Sequence, residues 1–110
     1  MYNQGDIIIV PFPFSDLSAI KQRPVLILSK DVDNQFSEDI ITCGITSNLK
    51  NANYSVLINN EDLKEGLIPR PSRIKLDKLF TVKKEIIIKK VARVNNQTLK
   101  KVKKEFYTLV

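Results

Sequence analysis

The sequence contains no histidine, no tryptophan and one cysteine in 110 residues. Each absence removes a class of chemistry. Without imidazole there is no Ser-His-Asp arrangement, no histidine general base and no histidine-containing zinc site. The lone Cys43 excludes an internal disulfide and an all-thiolate metal site, and within the apolar stretch IITCGI it reads as a small core residue. Glycine occurs only at Gly5, Gly44 and Gly66, too scattered to assemble a phosphate-binding loop or a dinucleotide fingerprint. The segment DVDNQFSED alternates acids but lacks the glycine and closing glutamate of a calcium loop, so it reads as a polar turn. No metal and no cofactor is expected. The longest apolar runs, residues 7–10 and 25–28, are far shorter than the roughly 20 residues that cross a bilayer. The opening MYNQGD has no basic-then-apolar signal, so a cytoplasmic protein without a membrane partner is expected.

What is present is the balance of one compact domain over residues 1–110: 43% hydrophobic and 27% charged. The net charge of +6 is unevenly spread. Residues 1–63 hold four Lys/Arg against eight Asp/Glu, and residues 64–110 hold fourteen against four. A basic half of this kind suits a polyanion such as nucleic acid, or serves solubility alone.

Short β-branched runs punctuated by proline and asparagine dominate the chain. GDIIIVPF gives a strand over 6–12, and Pro24 opens a second over 25–29. KDVDNQF is a turn or a single helical turn, DIITCGITSN a third strand that weakens at Gly44, and NYSVLIN a fourth. NEDLKEG carries the cap, early acids and closing glycine of a short helix. PRPSRIKLDKLFTV reads as strand, turn, strand, and EIIIKKVARV as a further strand. Leu99, Val102, Phe106 and Leu109 recur at helical spacing, which predicts a terminal helix. The fold class that follows is mainly β (α+β), a small barrel or sheet with short helices and a helix packed against it at the C-terminus.

With imidazole and metal ligands removed, catalysis is left to arginine, lysine, hydroxyls and carboxylates. Phosphoryl transfer suits that list, because it runs largely on positioning and on cations that stabilise phosphoryl oxygens. RNA brings its own nucleophile, the 2′-hydroxyl. Arg23 precedes Pro24, which holds its backbone extended, and its guanidinium matches a phosphate; it is equally a surface arginine whose stem covers apolar neighbours. Thr46, Ser47 and Asn48 follow one another as the third strand runs out, where they grip a phosphate or cap a turn. Strand alternation gives Arg73, Lys75 and Asp77 one face, either as a site or as an exposed ion-paired surface.

The ordered set GDIIIVPF, KQRPVLILS, GITSN and PSRIKLDKLFTV resembles the MazF/PemK/Kid family of toxin ribonucleases over nearly the whole chain. The resemblance implies an SH3-like β barrel and a homodimer. It also implies metal-independent, sequence-specific cleavage of single-stranded RNA by 2′-hydroxyl attack, and inhibition by a cognate antitoxin. The family's arginine and threonine fall on Arg23 and Thr46 as the catalytic pair, Arg23 steadying the phosphorane and Thr46 orienting the scissile phosphate. RNA binding is then assigned to Lys21, Gln22, Ser47, Asn48, Arg73, Lys75 and Asp77, with lysine at 75 where some branches carry arginine. Residues 15–22 would border the RNA groove, and Tyr2, Phe12, Phe14 and Tyr54 supply stacking platforms or core. The competing assignments are a non-catalytic nucleic-acid-binding barrel and a gyrase-poisoning toxin of similar fold.

Overall fold

In the computed structural model, residues 1–13 and 20–110 are described. The chain runs β1 (Asp6–Pro13), β2 (Ile20–Ile27), α1 (Asp31–Phe36), β3 (Asp39–Thr46), β4 (Ser55–Ile58), β5 (Leu63–Gly66), β6 (Ser72–Lys83), β7 (Lys89–Val94) and α2 (Asn96–Leu109). Among the described residues, all seven strands pair antiparallel in one curled sheet of spatial order β4-β6-β3-β2-β1-β7-β5. The mainly β barrel with a C-terminal helix expected from the sequence is the fold observed.

The curl encloses the main core. Ile7, Leu26, Cys43, Ile45, Ile74 and Leu76 point inward from the central strands, and Val102 of α2 closes over them. Asn95 caps α2 by accepting the Thr98 backbone N–H at 2.8 Å, and the helix lies on β4 and β6 with its lysines outward. The other face of the same strands is also apolar at one end: Ile8, Val10, Val25, Ile27, Ile40 and Val82 form a second buried cluster, with Phe80 and Ile87 against it. Paired strand residues share a face, so this second face continues past the cluster into Arg23, Thr46 and Lys75.

Four elements differ from the sequence expectation. β2 starts at Ile20 rather than after Pro24, because Ile20 to Val25 zip onto β1 with Arg23 opposite Val10 and Pro24 opposite Ile9. NEDLKEG is not one short helix: Asn59 caps a single 3-10 turn at Asn60–Asp62, and Leu63–Gly66 then extends to pair with β7. PSRIKLDKLFTV holds one 12-residue strand rather than two, with a bulge where a turn was expected. Its pairing with β3 slips between Cys43↔Leu79 and Gly44↔Lys75, leaving residues 76–78 as the excess. EIIIKKVARV opens with a 3-10 turn at Lys84–Ile86, and only Lys89–Val94 is strand.

Candidate functional site

The site begins where the sheet divides. Leu28 donates its N–H to Ile41 at 2.8 Å, so hydrogen-bonded rungs between β2 and β3 recur at every second pair from there. Continuing the observed register, Val25↔Gly44 and Leu26↔Cys43, the next such rung would join Pro24 to Ile45. Pro24 has no N–H to offer, and pairing between the two strands stops at Val25. Beyond it β2 stays on β1 while β3 stays on β6. The same register sets Arg23 across from Thr46, on opposite banks of the opening.

A groove of ≈ 450 Å³ occupies that opening. Arg23 comes from β2, Thr46 from the end of β3, Lys75 and Lys78 from β6, and Asn48 and Lys50 from the segment after β3. Among the described residues its lining holds four cationic side chains and no carboxylate, with Val25, Ile45, Phe12 and Phe80 as apolar surface. Such a lining accepts an anion together with something flat and apolar. Thr46 Oγ1 accepts the Asn48 backbone N–H at 3.1 Å, and Asn48 Oδ1 accepts that of Lys50 at 3.0 Å. Thr46 therefore caps the turn, as the bland alternative had it, while its hydroxyl proton stays available to a ligand in the groove. Asp77 lies outside the lining and pairs with Lys75 at 3.7 Å, orienting that ammonium.

The structure brings Arg23, Thr46, Asn48 and Lys75 together. Ser47 is exposed just beyond the strand, and Lys21 and Gln22 are exposed on β2. Lys21 shares the face of Arg23, whereas Gln22, one residue removed, falls on the other. Arg73 is engaged elsewhere: its Nε donates to the Leu49 carbonyl and Nη1 to Ser55 Oγ, both at 3.2 Å, pinning the segment that carries Asn48 and Lys50. Lys50, Lys78, Phe80 and Gly44 were missed by sequence reasoning, since only the β3–β6 pairing and its bulge bring them to one place. Of the aromatic candidates, Tyr2 and Tyr54 pack against the two cores. Phe12 meets Phe80 edge to face, centroids 4.9 Å apart, at the groove. Phe14 and most of the 15–22 loop lie outside the described residues.

Two other polar features stand apart from the groove. Asp6 is fully buried; Oδ2 accepts the Asn3 N–H at 2.8 Å, and Oδ1 faces Lys90 Nζ at 3.3 Å and Arg93 Nε at 3.7 Å, without the alignment of a hydrogen bond. Lys90 also bonds Glu65, which raises the lysine pKa and lowers that of the carboxyl. Burial pushes the Cys43 thiol up to about 12. Among the described residues there is no group of three or more His, Cys, Asp or Glu that could hold a metal ion, and no helix long and apolar enough to cross a membrane.

Endoribonuclease EndoA of Bacillus subtilis (strain 168) is 27% identical over 95 residues, covering 81% of each chain. Among solved structures, an endoribonuclease in complex with its cognate antitoxin from a mycobacterial species superposes with a TM-score of 0.79, at 18% identity over 98% of this chain and 93% of that one. MazE-MazF from Deinococcus radiodurans gives 0.78, at 17% identity over 98% and 94%. At these identities the superpositions speak for a shared fold. The family model for the PemK-like, MazF-like toxin of type II toxin-antitoxin systems matches residues 3–110, and the chain belongs to that family.

Proposed function

We propose that the chain is a toxin endoribonuclease that cuts single-stranded RNA at short sequences without a metal, using Arg23 and Thr46. The observation that carries the proposal is the split between β2 and β3, whose register sets this guanidinium and this hydroxyl across one cationic groove. In the reaction the ribose 2′-oxygen attacks the adjacent phosphorus and the bond to the 5′-oxygen breaks. The 2′-hydroxyl loses its proton and the departing 5′-oxygen gains one, giving a 2′,3′-cyclic phosphate and a 5′-hydroxyl. Arg23 is the fork for the phosphorane's equatorial oxygens, charged at every working pH. The Thr46 hydroxyl donates to the scissile phosphate or orients its 2′-oxygen. Lys75, steadied by Asp77, together with Asn48 and Ser47 at the strand end and Lys21 beside Arg23, holds the neighbouring backbone.

The cognate antitoxin is the expected protein partner, and the name of the mycobacterial complex records such a pairing for that relative. A homodimer is also proposed, supported by Tyr107 and Val110, which stand exposed at the end of α2. The cytoplasm, where messenger RNA is found, is the proposed location. Purified protein incubated with mixed single-stranded RNA in a chelator is expected to leave new 5′-hydroxyl ends at a restricted set of sequences. Arg23→Ala should reduce the rate by roughly 10²-fold or more while the fold persists. Intact RNA that is still bound would favour a non-catalytic binding barrel. Intact RNA with no binding would leave the gyrase-directed alternative.

A further inference from the structure

Gly44 sits in the interior of β3, where glycine weakens a strand. Its backbone does not require it, since only Gly5 and Gly66 among the described glycines have positive φ. Packing does not require it either: a Cβ built at Gly44 would meet Lys78 Cβ and Phe80 Cε2, each at 3.5 Å, which is ordinary contact. The bulge beside it places its excess residues on β6, not on β3. A strand glycine with neither a conformational nor a packing reason marks a place where something else approaches the backbone closely.

The surroundings say what approaches. Gly44 lies two residues from Thr46 on the same face, about 6.8 Å along the strand. Val25 is its partner on β2, and Phe80 overhangs it from β6. Phe80 is held in place by Phe12 against its ring and by Thr42, whose hydroxyl donates to the Phe80 carbonyl at 3.0 Å. The Lys78 stem forms the remaining wall. The result is an apolar slot with an aromatic side, opening beside the arginine and threonine assigned to the scissile phosphate.

We infer that this slot takes the nucleobase next to the cut linkage, stacked on Phe80 with its edge against the Gly44 backbone, and that it sets which base is accepted there. The inference rests on the ribonuclease assignment for its location. A side chain at 44 would fill the slot while leaving Arg23 and Thr46 untouched, so Gly44 and Phe80 act in sequence choice and not in the chemistry.

The test compares the wild type with Gly44→Ala and Gly44→Val by thermal melting, by mapping cut sites on mixed single-stranded RNA, and by kcat/KM on short RNAs carrying an abasic ribose at either flank of the cut. Gly44→Ala should melt no lower than the wild type. Gly44→Val should lose about tenfold or more in kcat/KM at wild-type sites, or move to other sequences, as removal of a base–aromatic stack does. The abasic RNA should erase the difference between the two proteins. A folded Gly44→Val that cuts the same sites within twofold of the wild-type rate overturns the slot and leaves the ribonuclease assignment standing. If the wild type cuts nothing, that assignment fails. The slot is then judged by fluorescence anisotropy of a labelled single-stranded RNA, where a tenfold weakening by Gly44→Val retains it and unchanged or absent binding overturns it. Should Gly44→Val fail to fold, Phe80→Leu, which keeps apolar volume and loses the ring, is measured in the same assays against the same limits.

Discussion

A single missing hydrogen explains why Arg23 precedes a proline. Pro24 falls at a rung where β3 would need an N–H, and its lack lets the sheet open beside Arg23, whose backbone stays paired with β1. The pair was legible in the sequence as a motif, but its mechanism was not, because the hydrogen-bonding parity of β2 and β3 appears only once their register is fixed. Cys43 makes a simpler case. It is fully buried, its pKa is pushed up to about 12, and the thiolate that reacts with alkylating agents is scarce at neutral pH. Native protein at pH 8 should therefore resist iodoacetamide, and denatured protein should react with one equivalent, as read by intact mass. Modification of the native protein at the unfolded rate would contradict the burial.

At the level of elements, β-branched runs and the spacing of Leu99, Val102 and Phe106 suffice to find β1, β3 and α2. They fail at β5 and β6. LKEG has no strand propensity of its own and is extended because β7 supplies its partner. IKLDKLF looks interrupted because its bulge puts polar Asp77 and Lys78 where alternation would continue. The same bulge carries Lys78 into the groove, so the part of the site that was hardest to read comes from the strand that was hardest to read. β5 also ends on a demanding position. Gly66 has φ +77, and a Cβ there would stand 2.1 Å from the Val91 carbonyl oxygen and 2.6 Å from Ala92 Cα. Gly66→Ala is expected to destabilise the domain by about 3 kcal/mol, lowering Tm by roughly 10–20 °C. Scanning calorimetry checks this, and a change under 3 °C would mean that β5 can leave β7 without consequence.

The whole molecule carries +6, but the groove concentrates the useful part of that charge in Arg23, Lys50, Lys75 and Lys78. If three or four of these neutralise phosphates, single-stranded RNA affinity should fall roughly 20- to 50-fold between 50 and 200 mM salt. A titration of an uncut, 2′-O-methylated RNA measures the slope; a flat response would remove phosphate contacts from the account. These cations come from distant stretches of chain, Arg23 and Lys50 from the acid-rich portion and Lys75 and Lys78 from the basic one. They meet because β6 is threaded between β4 and β3. Severed ahead of Ser72, the polypeptide would yield one fragment with Arg23, Thr46 and Lys50 and another with Lys75, Lys78 and Phe80, so neither would hold the whole groove. Harm to a host cell would then require both fragments to be made and reassembled, which makes that strand a natural safety catch for anyone wishing to switch such a toxin on.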